Sequence, residues 1–258
     1  MVDIHSHVLF GLDDGAETIE ESIAMVRMAA EHGTTDLVAT PHANLDYRFE
    51  PEKIAERLAL LEEALLEEAA QGSPRLYSGC DFHLSYDNIQ DAIDNPRKYT
   101  INKQCYLLVE FSDLLIFRNT DEIFARLGEA GMIPIITHPE RNELLRLRID
   151  EIEQWVKEGA RVQVTAQSLT GRFGRRARDF SRLLLDRQLV HVIASDAHDC
   201  RDRPPMLDEA HAWLKKNFTE ELAETLCVKN PGAALTGDEM SLPSGDSASG
   251  RKWYQVWR

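Results

Sequence analysis

Histidines and carboxylates recur in this chain at the ends of short apolar runs. The first run leads into Asp3-Ile4-His5-Ser6-His7, and Asp14 follows in Gly11-Leu12-Asp13-Asp14-Gly15. Later runs end in Thr40-Pro41-His42, in Gly79-Cys80-Asp81, in Val109-Glu110, in Thr137-His138 and in Ser195-Asp196-Ala197-His198. The set comprises five imidazoles (His5, His7, His42, His138, His198) and four carboxylates (Asp14, Asp81, Glu110, Asp196). A three-ligand zinc site with one water uses fewer than half of these groups. Nine donors suit two or three divalent ions with a bridging carboxylate. Mixed imidazole and carboxylate ligation suits manganese, iron or zinc alike, and manganese is taken as the first expectation. One histidine alone is more often structural than a ligand. His-x-His at one strand end and Asp-x-His at another make the joint case.

Two arginines follow these donors closely: Arg141 in His138-Pro139-Glu140-Arg141-Asn142, and Arg203 before Pro204-Pro205. A guanidinium beside metal ions offers a planar fork for phosphate oxygens, so both are read as phosphate-holding residues. Of the remaining histidines, His32 and His211 read as exposed helix residues and His191 as a satisfied core group. His83, two residues after Asp81, could face the site. Arg172, Arg175, Arg176 and Arg178 form a basic stretch that could attract an acidic or phosphorylated partner, or could be a solvated face.

Some framework must bring these donors together. Seven β-branched runs alternate with stretches of helical period: 2–4, 36–40, 75–79, 106–111, 133–137, 161–165 and 190–195. They are short and apolar on both faces, as buried parallel strands are. Helix signals lie between them: Thr18 with Glu21 as a capping box, Gly33 as a stop and Pro51 as a first helical residue. Asp150 with Glu153 reads as another cap, and Pro204-Pro205 and Thr219 as openings of the last helices. The alternation implies an α/β fold with a parallel sheet closed as a TIM-barrel-like (β/α)7 barrel, whose C-terminal strand ends share one face. The Leu/Glu/Ala-rich stretch 58–70 reads as a barrel helix with a solvated face. From about Thr236 the composition changes. Residues 237–258 read as a flexible Ser/Gly-rich tail ending in the aromatic and basic 251–258.

Composition narrows the function classes. The 258 residues carry 44 acidic and 29 basic side chains, a formal charge of −15. That balance argues against nucleic acid and against an anionic membrane surface. No apolar run approaches the ~18 residues of a membrane span, and the opening residues lack the basic and apolar regions of a signal peptide. None of the four cysteines forms a Cys-x-x-Cys pair, which fits a reduced, cytoplasmic protein. Tyr86, Phe111, Met206 and Ala233 lie six residues after the cysteines. With no arginine there, a Cys-x5-Arg phosphatase is excluded. A Gly-x-Ser-x-Gly elbow is also missing.

With these motifs in view, the sequence resembles the PHP (polymerase and histidinol phosphatase) superfamily. Within it the chain looks most like the metal-dependent tyrosine-protein phosphatases of bacterial capsule and exopolysaccharide synthesis, over residues 1–236. The resemblance rests on the motifs above together with Val162-Gln-Val164, Ser168-Leu-Thr-Gly171, Arg203-Pro-Pro205 and Asn230-Pro231. It implies a distorted PHP-type barrel with three metals: one on His5, His7, Asp81 and Asp196, one on Asp81, Glu110 and His138, and one on Asp14, His42 and His198. It places Arg141 and Arg203 on the phosphate. Four positions depart from the family pattern. Asp81 stands for Glu, Ala43 for a second His, and Thr165 with Gln167 for Asn and Gly.

The expected chemistry is hydrolysis of a phosphomonoester by a metal-bound hydroxide, the metals and arginines offsetting the developing charge. His42 or His198 would protonate the leaving group. The expected substrate is phosphotyrosine on a protein, a bacterial tyrosine kinase above all, and an oligomer is compatible with the sequence. The rival readings are another phosphoesterase of the superfamily (a histidinol-phosphate-type phosphatase or a nuclease) and an inactive metal-binding regulatory module.

Overall fold

In the computed structural model, residues 1–67 and 72–241 are described. Among the described residues nine strands are present: seven fall on the expected runs, and two short ones, His42–Ala43 and Asp81–His83, lie just beyond the second and third. β1 (Val2–Ser6), β2 (Asp36–Ala39) and β4 (Arg75–Ser78) form one parallel sheet in the order β1-β2-β4. The second sheet runs β3 (His42–Ala43), β5 (Asp81–His83), β6 (Tyr106–Glu110), β7 (Ile133–Ile136), β8 (Arg161–Thr165) and β9 (Val192–Ala194). Between the two sheets the second and third strand positions break. At Thr40-Pro41 the chain meets a residue with no N–H for a ladder. At Gly79 an added Cβ would sit 3.1 Å from both Thr40 and Val38 side chains, so the strands cross too closely for a larger residue. Past the breaks the chain pairs again, His42 opposite Asp81. Segments of two or three residues are too short to show a period, so the sequence reads seven strands where nine exist.

The ends of the second sheet return to the first. Ser6 bridges Ala197 in parallel, the His7 N–H donates to Ala197 O at 2.7 Å, and the Asp196 N–H donates to His5 O at 2.9 Å. These bonds close the distorted barrel at the level of the donor residues. One apolar cluster gathers Val2, Ile4, Val38, Tyr106, Leu108, Ile135, Val192 and Ala194, from strands on all sides. Only inward side chains can meet in that way. Alternation then places Glu110 on the face of Tyr106 and Leu108, and Asp196 on that of Val192 and Ala194.

Outside the strands run α1 (Ile19–Glu31), α2 (Pro51–Glu67), α3 (Tyr86–Asp94), α4 (Thr120–Glu129) and α5 (Ile149–Lys157). Then come α6 (Ala166–Thr170), α7 (Gly174–Asp186), α8 (Asp208–Asn217), α9 (Glu220–Glu224) and α10 (Asn230–Thr236). Thr18 caps α1 by accepting from the Glu21 N–H, while the Glu21 carboxylate accepts from the Glu17 N–H rather than from Thr18. Two expected starts shift. Asp150 is not a cap: α5 begins at Ile149, and Asp150 sits in its first turn paired to Arg187 at 3.1 Å. Pro204-Pro205 precede α8 by three residues. α2 buries Ile54, Leu61 and Leu65 against the body, consistent with a barrel helix; the rest of that stretch, 68–70, lies outside the described residues.

The end of the packed body differs from expectation. Residues 237–241, grouped with the tail on composition, are held in place. The Tyr106 hydroxyl donates to Asp238 O at 2.9 Å, Asn230 exchanges two bonds with Ser241, and Met240 is buried. The Ser/Gly-rich run from 242 and the aromatic-basic end lie outside the described residues.

His32 and His211 are not free: each meets a carboxylate, Asp208 at 2.9 Å and Glu224 at 3.0 Å. His191 is fully buried just before β9. Its Nδ1 accepts from the Val162 N–H at 3.3 Å and its Nε2 has no partner. Burial, reinforced by Arg161, pushes its pKa down to about 3. The folded pKa lies below the unfolded value, so the unfolded chain binds the extra proton. Stability from this site is therefore full above pH ~6.5 and falls toward pH ~3. His191→Gln is expected to remove up to about 1.4 kcal/mol per pH unit from the acid-side slope of unfolding free energy. Urea midpoints at several pH values between 4 and 7 test this, and parallel pH profiles for the two proteins would contradict it.

Candidate metal centre

All nine donors meet at the mouth formed by the C-terminal strand ends. Four groups have ligand atoms within 4.8 Å of one another: His7, Asp14, His42 and His198; His5, His7 and Asp81; His5, His138 and Asp196; and His42, Asp81 and Glu110. Membership is complete, but the partition differs from the one implied by resemblance. His138 groups with His5 and Asp196, and lies 3.8 Å from Glu110. His42 joins both Asp14 and the Asp81–Glu110 pair. His83 also borders the site, its Nδ1 3.5 Å from Glu110.

The distances fit shared cations better than hydrogen bonds. His5 Nε2 is 3.4 Å from Asp81 and 3.3 Å from Asp196, and His42 is 3.2 Å from Asp81 and 3.3 Å from Asp14. Good N–H···O bonds are typically shorter, about 2.9–3.0 Å. Two donors each about 2.1 Å from one ion lie roughly 3.0–3.4 Å apart. Both Asp81 oxygens, His42 Nδ1 and His198 Nε2 are buried without a hydrogen-bond partner. A buried, unpartnered carboxylate is strongly destabilising unless a cation meets it. The shorter acid at Asp81 therefore still reaches both imidazoles.

Other residues aim the donors. His5 Nδ1 meets Gln163 at 2.8 Å, His7 Nδ1 meets Asp13 at 2.6 Å, and His198 Nδ1 meets the Asp196 carbonyl at 3.1 Å. Each contact holds a ring nitrogen and leaves Nε2 facing the cluster, as the outer partners of metal-binding histidines do. Asp13 also accepts from the backbone N–H groups of His42, at 3.0 Å, and Gly15. Sequence reasoning chose Asp14 from the Asp-Asp pair and missed Asp13. The doublet was the available signal, since one carboxylate can ligate while its neighbour orients. His138 and Asp196 adopt left-handed φ values of 33° and 52°. Non-glycine residues held there are strained, a feature that gathers at functional sites.

Gly15 admits the loop to the site. A Cβ there would lie 2.1 Å from His7 O. Gly15→Ala is expected to push Asp13 and Asp14 off the cluster and to destabilise the fold by about 1–3 kcal/mol, as overpacking does. Thermal melts with and without added divalent metal should show a lower melting point and a smaller metal-induced rise; a melt equal to wild type in both would refute it.

Electrostatics divide the imidazoles. Burial disfavours the charged form of His5, but Asp196 and Asp81 outweigh it and hold its pKa up at about 9. Burial is likewise outweighed at His42 by Asp14 and Asp81, which lift it to about 11. Burial and Arg141 push His138 down to about 3, and burial and His7 push His198 down to about 4. Asp81 and Asp196 are held well below the carboxylate range despite burial, both by His5, with Arg141 adding at Asp196. Without ions the carboxylates thus keep protons on His5 and His42, the positions that cations would take.

Arg141 and Arg203 both donate to Asp196 Oδ2, Arg203 at 2.5 Å. Arg141 also lies 4.5 Å over the Phe173 ring. The other basic stretch is partly paired. Arg175 and Arg178 share Asp179, Arg176 lies 3.7 Å from Glu143, and Arg172 donates to the carbonyls of Arg201 and Asp202. Two carboxylates thus face four guanidiniums, and Arg172 braces the loop that carries Arg203. Beside Asp14 and His198 a cavity of 560 Å³ opens, reaching Cys200 and Arg201.

Known proteins share this chain's sequence and shape. Residues 1–236 match the family described as capsular polysaccharide synthesis, CpsB/CapC. The chain is 37% identical over 257 residues to the putative tyrosine-protein phosphatase CapC of Staphylococcus aureus, covering 98% of this chain and 99% of that protein. It is 34% identical over 223 residues to the tyrosine-protein phosphatase YwqE of Bacillus subtilis, covering 86% of this chain and 87% of that protein. A crystal structure from work on YwqE of Bacillus subtilis and CpsB of Streptococcus pneumoniae, described as metal-dependent tyrosine phosphatases, superposes with a TM-score of 0.87 at 32% identity. That match covers 95% of this chain and 99% of the other. Matched over residues 1–236 and similar to these proteins along nearly its whole length, the chain belongs to the CpsB/CapC capsular polysaccharide synthesis family.

Proposed function

We propose that this chain is a metal-dependent tyrosine-protein phosphatase of capsular or related polysaccharide synthesis. One observation carries the reading: nine metal-type donors and two guanidiniums converge on one barrel mouth, with orphaned carboxylate and imidazole atoms among them. The family relatives and the metal-dependent structural relative support it.

His5, His7, Asp14, His42, Asp81, Glu110, His138, Asp196 and His198 would hold two or three divalent ions, manganese foremost. When bound, such ions supply Lewis-acid charge at the phosphoryl oxygens and acidify water. Arg141 and Arg203 would exchange the shared Asp196 oxygen for phosphoryl oxygens and offset the charge that builds on them. His42 and His198 both stand among the donors, and an imidazole that ligates a cation is a poor proton donor to the leaving oxygen. A phenolate needs little such help, which suits an aryl ester. A thiol mechanism finds no support. The four cysteines are free, and burial raises the pKa of each.

The substrate would be phosphotyrosine on a protein, with a bacterial tyrosine kinase as the first candidate and the cytoplasm as the site of action. No helix among the described residues is long and apolar enough to cross a membrane. Manganese-loaded protein assayed on phosphotyrosine peptides, histidinol phosphate and oligonucleotides tests the reading. Preference for the peptides is expected. Preference for another substrate would replace the reading, and no turnover at full metal occupancy would leave a regulatory metal-binding module.

A further inference from the structure

The large apolar side chains that stand exposed are unevenly placed. Seven are exposed among the described residues, and two of these, Leu60 and Leu66, are on α2. The other five follow the C-terminal ends of four strands: Leu45 after β3, Tyr86 after β5, Leu114 and Leu115 after β6, and Leu147 in the loop after β7. Leu45, Leu114 and Leu147 are 95%, 89% and 85% exposed. These four strands are consecutive neighbours in the second sheet. These strands also carry or lead into His42, Asp81 and His83, Glu110, and His138, so the five residues lie in the segments that follow those donors along the chain.

Lateral hydrogen bonds make the loops one rim. The Asn88 side chain donates to Ala43 O at 2.7 Å and to His83 O at 3.0 Å, joining the loops after β3 and β5. The Leu84 N–H donates to Glu110 O at 2.9 Å. The Asn142 side chain donates to the carbonyls of Phe111 and Ser112, joining the loops after β6 and β7. An apolar border on a mouth lined with charge is unfavourable in water and marks a contact surface. When a tyrosyl phosphate enters the mouth, the residues on either side of that tyrosine must lie on this border. Asp46, Asp87 and Asp113 stand exposed beside Leu45, Tyr86 and Leu114, with no ion pair among the described residues, and Arg48 and Arg118 lie further along the same loops. Arg146 and Arg148, on either side of Leu147, are paired to Glu143 and Glu151, so the rim has mixed charge and offers apolar contact without a cationic patch to draw acidic flanks.

We infer that this rim selects phosphotyrosine segments whose flanking residues are apolar rather than acidic. The inference rests on the phosphatase reading above and adds the substrate class that the same site prefers.

The test compares peptides sharing one central phosphotyrosine and flanked by leucine and valine, by serine, or by glutamate. Each kcat/KM is divided by that on para-nitrophenyl phosphate, which has no flanks. Wild-type protein is expected to favour the leucine–valine peptide over the glutamate peptide by about tenfold, mainly through KM, as partial burial of a few apolar side chains allows. In the Leu45→Ser/Leu114→Ser/Leu147→Ser variant the ratio should collapse toward that of the serine peptide. Equal ratios for the three peptides with wild-type protein, or a preference that survives the substitutions, would overturn the inference. So would substitutions that change only the sedimentation behaviour, because the rim would then be a contact between copies. Turnover of para-nitrophenyl phosphate separates the two levels. If it proceeds while the peptides rank equally, the rim assignment alone fails; if wild-type protein turns over no aryl phosphate, the phosphatase reading fails and the inference with it.

Discussion

His5→Ala is expected to strip the protein of metal and of phosphatase activity together. His5 Nε2 lies within 3.4 Å of Asp81, Asp196 and His7, so it belongs to two of the four donor groups at once. Its removal takes the shared imidazole from two buried carboxylates, Asp81 and Asp196, and leaves both with less compensating charge. Loss of a residue that merely orients a metal ligand already lowers affinity or activity by about 10–100-fold. Loss of a shared donor should exceed that. Metal content by elemental analysis and turnover of an aryl phosphate are the two readouts, with circular dichroism confirming the fold. Retained metal and retained turnover in His5→Ala would refute the proposed site. Gln163→Ala separates holding from aiming. It removes only the partner of His5 Nδ1 and should lower metal affinity while leaving the donors in place.

Arg203→Ala is expected to lower kcat by about 10²–10³-fold, the range for removing one preorganised donor from a developing charge. Metal content should stay near wild type, which distinguishes this variant from His5→Ala. The structure places Arg203 and Arg141 on the same Asp196 oxygen, so their effects should not add. The double variant should fall short of the product of the single effects. Arg203→Lys should rescue little, because a point charge does not reproduce the planar fork. If Arg203→Ala weakened metal binding and left kcat per bound metal unchanged, the arginine would be a brace for Asp196 and not a phosphate-holding residue.

Much of the site was legible because strand alternation and residue type are local properties. Glu110 follows Tyr106 and Leu108 at intervals of two, and Asp196 follows Val192 and Ala194 in the same way. A polar residue continuing an inward apolar face at a strand end has to meet a partner at the barrel mouth. Length, strand–helix alternation and the placement of nine donors thus determined the fold class and the donor set. His138-Pro139-Glu140-Arg141-Asn142 and Asp196-Ala197-His198 add the order in which they occur.

Only the tertiary structure decided how the donors divide. His138 sits with His5 and Asp196, and His42 lies between Asp14 and Asp81, because breaks at Thr40-Pro41 and at Gly79-Cys80 re-aim the chain just before both donors. Asp13 became an orienting carboxylate when the loop folded back until Gly15 touched His7. Left-handed backbone at His138 and Asp196 turns those side chains in a way that no propensity scale favours. Which side chains share a face follows from a period along the chain. Which atoms come within 3–4 Å follows from register, twist and loop closure between strands far apart in sequence, and those are properties of the folded whole.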